Sequence, residues 1–212
     1  MKDSKNILLI IGICGFISFI CTWLSLSFEL TIIEQIDDFA RQNLSLSISD
    51  NHYTFFSNIS RIGSSILLLP ISVIISAFLY IKRRVFESLW FLLGTFINAI
   101  TVYFLKLIIA RPRPVIALDV RDSWSFPSGH SSVTTFFYGF IIILAIFYVQ
   151  KLWERLLIII SSLSVILLVY WSRIYLGAHF ATDIIASLSL STSQLLVGYY
   201  FYLKVKEKND FL

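Results

Sequence analysis

Ser172-Arg173-Ile174-Tyr175-Leu176-Gly177-Ala178-His179-Phe180-Ala181-Thr182-Asp183 separates two strongly apolar runs, residues 156–171 and 184–203. Apolar runs of this kind read as membrane-crossing helices, so the stretch between them lies where a bilayer ends and water begins. It holds an arginine, a histidine and an aspartate. Ionisable groups near membrane depth are expensive and are functional candidates by default. A helix running from Ala178 would put His179 and Asp183 at i and i+4, on one face and about 6 Å apart along the axis. A carboxylate there holds one imidazole nitrogen as N–H and leaves the other with its lone pair. Such an imidazole can attack an electrophile or take a proton.

The rest of the chain fits a membrane setting. Of its 212 residues, 57% are hydrophobic and 14% charged, with a mean hydropathy of +0.81. Soluble domains sit nearer about 45–50% apolar and about 25% charged. A chain this short cannot hide so much apolar surface in a core, so a single integral membrane domain over 1–212 is expected. The net charge of +4 does not argue for nucleic acid, because most of the basic residues sit in short loops between apolar runs. Cys14 and Cys21 both fall in the first run, about 10 Å apart along a helix, too far for a disulfide.

Six spans are expected, over residues 7–28, 64–81, 85–109, 131–149, 156–171 and 184–203. The first has no small-residue cleavage site after it, which favours an uncleaved helix over a signal peptide. Pro70 inside the second is tolerable in a transmembrane helix. Between the first two spans, Ile32, Ile33, Ile36, Phe39 and Ala40 share one helical face, with Glu34, Asp37, Asp38 and Arg41 opposite. That pattern predicts an amphipathic helix at the interface. His52 falls in the polar turn expected after it, without ligand-like neighbours. The predicted fold is therefore all-α: six transmembrane helices plus one interfacial helix.

Six spans bring both termini to one side. That side carries ten of the 17 Lys and Arg residues, and the other carries Arg41, Arg61, Lys106, Arg111, Arg113, Arg121 and Arg173. Several of these seven lie in loops that read as chemical, so the positive-inside tendency places the termini in the cytoplasm. The loop over 110–129 and the Ser172 to Asp183 stretch then share the outer face.

That shared face gathers cations (Lys106, Arg113, Arg173), two imidazoles (His130, His179) and the carboxylate of Asp183. Pro127-Ser128-Gly129-His130 opens the fourth span. Ser128 and Gly129 add hydroxyl and backbone donors at a helix N-terminus, where dipole and free N–H groups favour an anion. Arginine forks onto phosphate oxygens and lysine supplies a point charge. Two histidines beside such a site predict phosphoryl transfer. His179 attacks phosphorus with Asp183 orienting it, and His130 protonates the leaving oxygen and then activates water. Two histidines and an aspartate could in principle bind a metal, but three cations around them argue against it. No metal and no cofactor are expected. In Arg111-Pro112-Arg113-Pro114, the sequence alone does not favour one arginine over the other.

These residues resemble the type 2 phosphatidic acid phosphatase (PAP2) superfamily. Its pattern is Lys, six residues, Arg-Pro; then Pro-Ser-Gly-His; then Ser-Arg, five residues, His, three residues, Asp. Lys106 to Arg113-Pro114, Pro127 to His130 and Ser172 to Asp183 match it with no departure, and the first spacing selects Arg113 over Arg111. The resemblance implies a helical bundle and a phosphohistidine at His179, with His130 as acid and base. It implies phosphate held by Lys106, Arg113, Ser128, Gly129, His130 and Arg173, and vanadate sensitivity. The compact chain is similar to bacterial members acting on phosphatidylglycerophosphate or undecaprenyl diphosphate. The expected substrate is the phosphate or diphosphate of a membrane lipid at the outer leaflet: one of those two, or phosphatidate. For a diphosphate, Arg111 or Arg121 could add a contact. Transfer to an acceptor other than water, or a non-enzymatic anion transporter, are the rival readings.

Overall fold

The computed structural model describes residues 2–44, 50–115 and 123–209. Eight helices are present among them: α1 (Lys2–Ser27), α2 (Thr31–Leu44), α3 (Asp50–Ile62), α4 (Ser65–Ile81), α5 (Val85–Ile109), α6 (Gly129–Tyr148), α7 (Leu152–Tyr175) and α8 (Ala181–Asn209). Six segments are long and apolar enough to cross a membrane. They correspond to α1, α3 with α4, α5, α6, α7 and α8. Large apolar side chains such as Ile10, Phe16, Ile74, Leu93 and Leu167 point outward, as they do when lipid is the solvent. Cys14 and Cys21 are free and exposed.

The centre of the bundle is α6, which is buried at every position from His130 to Phe137. It packs against α5, α7 and α8. Phe136 and Phe140 join Leu68, Phe91 and Leu195 in one core cluster. Lipid offers no hydrophobic drive between helices, so close approach and polar contacts do the joining. Asn98 of α5 donates to Ser191 Oγ at 2.9 Å and to Gln194 Oε1 at 2.7 Å on α8, and Ser132 of α6 meets Ser191 at 2.6 Å. Along the α1–α8 seam the helices touch backbone to backbone. A Cβ at Gly15 would stand 2.9 Å from the Ser189 carbonyl oxygen. The two helices run antiparallel, with Lys5 paired to Glu207.

Three expectations change. The stretch from Asp50 to Ile62 forms α3 instead of a turn, so His52 is an exposed helical residue. The α3 helix continues almost into α4 and brings Ser60 under the bundle end. Asp37 does not face water with Glu34 and Asp38. It lies on the buried stripe Ile33–Asp37–Ala40 of α2, while Ile32 and Phe39 are exposed. The fifth span runs four residues past Trp171, so Ser172 and Arg173 belong to the last helical turns. The polar ends of spans remain helical wherever neighbouring elements satisfy them, and hydropathy alone cannot register that.

Candidate active site

The backbone sets the position of His179. Helix α7 ends in a Schellman turn. Gly177, at φ 60°, donates its N–H to the Ile174 carbonyl at 2.9 Å, and Ala178 donates to the Arg173 carbonyl at 3.1 Å. An L side chain at position 177 would be strained in this left-handed conformation. The N–H of His179 also reaches the Arg173 carbonyl, at 3.2 Å. His179 is thus held in the turn and is not on a helix. Its ring meets Asp183, in the first turn of α8, through Nδ1 and Oδ2 at 3.3 Å. Contacts of this length commonly tighten once substrate is bound. The same Oδ2 accepts the Phe180 N–H at 3.0 Å, which is one half of a capping box. The expected pairing is present, but a turn facing a helix start makes it, not two turns of one helix.

The other site residues arrive from helix ends. Helix α5 closes at Ala110, which is left-handed at φ 48°, and the chain turns back over Lys106. Lys106 Nζ donates to the carbonyls of Trp124 and Ser125. Arg113 donates from Nε to the Ser123 carbonyl at 2.7 Å and from Nη1 to the Ala178 carbonyl, with His179 Nε2 at 3.5 Å. Arg173 is fully buried and donates to Ser60 Oγ on α3. Ser128 is the N-cap of α6, its hydroxyl accepting from the Ser131 N–H at 3.4 Å and from the Ser131 hydroxyl at 3.0 Å. The first turn of α6 therefore stands against the same place, with Gly129 and His130 on its wall.

That place is a cavity of about 180 Å³. Lys106, Arg113, Gly129, His130, Arg173 and His179 line it, six of the eight residues singled out in the sequence. Ser128 and Asp183 stand behind the wall, where they hold the α6 N-terminus and the His179 ring. The α4 N-terminus adds Ser64, Ser65 and Ile66, and the 110–128 connection adds Ser123. Ile66 is 87% exposed, so one wall of the cavity includes an outward-facing apolar side chain. Arg121 lies outside the described residues.

The site is electropositive. Burial first, then the charges of Arg173, Lys106 and Arg113, push the His179 imidazole well below its usual pKa, against an opposing hydrogen bond at the Ser125 backbone. His179 is therefore neutral at physiological pH, the form that can act as a nucleophile. Among the described residues, no group of three or more His, Cys, Asp and Glu side chains could hold a metal.

Three participants escaped the sequence reading. Asp37 accepts the Thr182 N–H at 2.9 Å and so caps α8 from another helix. Ser60 receives Arg173. Arg111 is bound by two carboxylates, Asp183 at 2.6 Å and Asp37 at 2.7 Å. This corrects its expected availability to a diphosphate. None of the three carries a local signal, since each partner is more than 70 residues away.

Comparison with known proteins gives the family and the fold. The PAP2 superfamily model matches residues 87–207. Phosphatidylglycerophosphatase B of Bacillus subtilis (strain 168) is 36% identical over 140 residues, covering 63% of this chain and 67% of that protein. The crystal structure of a transmembrane PAP2-type phosphatidylglycerolphosphate phosphatase from Bacillus subtilis superposes with a TM-score of 0.78 at 28% identity. That match covers 92% of this chain and 96% of that one. Aquifex aeolicus LpxE shares the fold at 22% identity and a TM-score of 0.53, over 82% of this chain and 94% of its own. The chain, a multi-pass membrane protein, belongs to the PAP2 superfamily.

Proposed function

We propose that the protein is a lipid phosphatase that hydrolyses the phosphomonoester of a glycerophospholipid, phosphatidylglycerophosphate first among them, through a phosphohistidine on His179. The observation that carries this reading is a neutral imidazole, backed by a carboxylate, facing a cavity lined by Lys106, Arg113 and Arg173. His179 Nε2 attacks phosphorus in line and forms an N–P bond as the ester P–O bond breaks. His130 gives a proton to the departing lipid oxygen. It then takes a proton from water, whose oxygen attacks the phosphohistidine and releases inorganic phosphate. Lys106, Arg113, Arg173 and the N–H groups at Gly129 hold the equatorial oxygens, where charge accumulates. Ser128 fixes the direction of that helix end. Asp183 keeps the Nδ1 proton in place and balances the imidazolium character that develops.

A lipid substrate is supported by the outward-facing Ile66 on the cavity wall and by the position of the cavity at the ends of the spans. An outer-leaflet site is supported by the basic residues at the opposite end, Lys82, Arg83, Arg84, Lys151 and Arg155 among them. The relatives named for phosphatidylglycerophosphate make a monoester the first substrate to test. The experiment is phosphate release from phosphatidylglycerophosphate, phosphatidate and undecaprenyl diphosphate by detergent-purified protein, wild type beside His179→Ala. Release by the wild type and not by the variant is expected. Release from neither phosphatidylglycerophosphate nor phosphatidate would overturn the reading.

A further inference from the structure

Arg111 and Asp37 lie off the cavity, yet both are nearly buried and both end on the junction that carries His179. Asp37 binds the start of α8, accepting the Thr182 N–H at 2.9 Å and meeting the Thr182 hydroxyl at 3.0 Å. Arg111 spans the gap between the two carboxylates. Its Nη1 donates to Asp183 Oδ1 at 2.6 Å and to Thr182 Oγ1 at 2.9 Å, and its Nη2 donates to Asp37 Oδ2 at 2.7 Å. The guanidinium also lies over the Phe180 ring, 4.0 Å from its centroid. Phe180 is the residue after His179.

We propose that Arg111, held by Asp37, is a positioning residue for phosphoryl transfer: it occupies Oδ1 of Asp183 so that Oδ2 is the oxygen turned to His179. The inference rests on the reading of His179 as nucleophile given above. A carboxylate with one oxygen pinned cannot rotate away from the imidazole. A buried carboxylate also needs a charged, hydrogen-bonded partner to remain ionised. The planar fork of arginine meets two carboxylates at once, which the single ammonium of lysine does not. Asp37 in turn balances the guanidinium and ties the interfacial helix α2 to the catalytic turn. Since Arg111 does not line the cavity, its loss lowers turnover and leaves phosphate affinity alone.

The test measures phosphate release from phosphatidate in mixed micelles, with competitive inhibition by inorganic phosphate as the independent reading of anion binding. Arg111→Ala is expected to lower kcat by about 10²-fold, the cost of misplacing a reacting group, with the phosphate inhibition constant unchanged. Millimolar guanidinium should restore part of the rate. The double variant Arg111→Ala/Asp183→Asn should be no slower than Asp183→Asn alone. An unchanged kcat, a multiplicative double variant, or phosphate inhibition weakened in step with kcat would each overturn the inference. The last result would make Arg111 a phosphate ligand. Should Arg111→Ala fail to fold, Arg111→Lys decides: a lower kcat with intact phosphate inhibition supports the inference, and wild-type kcat ends it. A wild type inactive on phosphatidylglycerophosphate as well as on phosphatidate would instead sink the phosphatase reading itself.

Discussion

Glu87 at one end of the bundle and His179 at the other are both buried, and their surroundings differ in kind. Glu87 receives the hydroxyls of Tyr148 and Tyr202, the latter at 2.9 Å, with Arg84 at 3.6 Å. Arg84 stacks on the Tyr148 ring, and Trp90, Tyr199 and Tyr202 close the cluster. Two hydroxyls and an arginine meet the Glu87 carboxylate there, so its charge is balanced within the cluster, while the Trp90 N–H is buried without a partner among the described residues. At the His179 end, burial first, and then three cations facing a common cavity, depress the imidazole. A field of one sign around a cavity is unfavourable until an anion enters. Both ends hold a cavity, about 270 Å³ beside Glu87 and about 180 Å³ beside His179, and what distinguishes the second is the three cations that line it.

Substitutions at the two ends should therefore fail in different ways. The largest effect is expected at His179→Ala, where turnover should fall by about 10³-fold or more while the unfolding midpoint in detergent barely moves. Arg173→Ala comes next, with a loss of about 10²-fold or more in kcat/KM, as for other donors to a developing charge. Its pH profile supplies a second reading. The wild-type imidazole is held below the ordinary value of about 6.5, so activity should persist into mild acid. Removing a neighbouring cation eases protonation of His179, raises its pKa and moves the acid limb of kcat/KM to higher pH. A limb that stays put would remove Arg173 from the electrostatics of the site.

Glu87→Gln should do the reverse. Thermal unfolding should show a loss of about 1–3 kcal/mol for a disturbed buried polar cluster, with turnover within about two-fold of wild type. A loss of turnover like that of Arg173→Ala would erase the contrast between the two ends. The smallest effect is expected at Gly177→Ala. The left-handed position adds strain of about 1–2 kcal/mol, and the shifted turn should cost turnover a few-fold while leaving inhibition by inorganic phosphate unchanged.

Much of this was legible in the sequence because the signals are local. Hydropathy runs locate the spans, and α5 begins and ends where its run does, at Val85 and Ile109. Arg173, His179 and Asp183 lie at one helix end and its turn, whereas the pairing of Lys106 with Arg113 came from the family pattern that the chain resembles. What stayed hidden depends on distant partners. Asp37 looks like a water-facing residue of an amphipathic helix until the start of α8 is seen to rest on it, 145 residues on. Ser60 is one polar residue among many until Arg173 reaches it. The α3 helix, with Asn51, His52 and Asn58 along it, resembles a loop by composition and becomes a helix by packing on α7. Arg111 and Arg113 differ by two positions, yet Arg113 lines the cavity and Arg111 turns away to two carboxylates.

The account stands on covalent catalysis by His179. The direct measurement is a rapid quench of the wild-type protein turning over phosphatidylglycerophosphate that carries radiolabelled phosphate, followed by peptide mapping. The account predicts label that survives alkali, is lost in acid and maps to the peptide containing His179, with none on His179→Ala. Label on another residue, or full turnover with no labelled protein at any quench time, would contradict it.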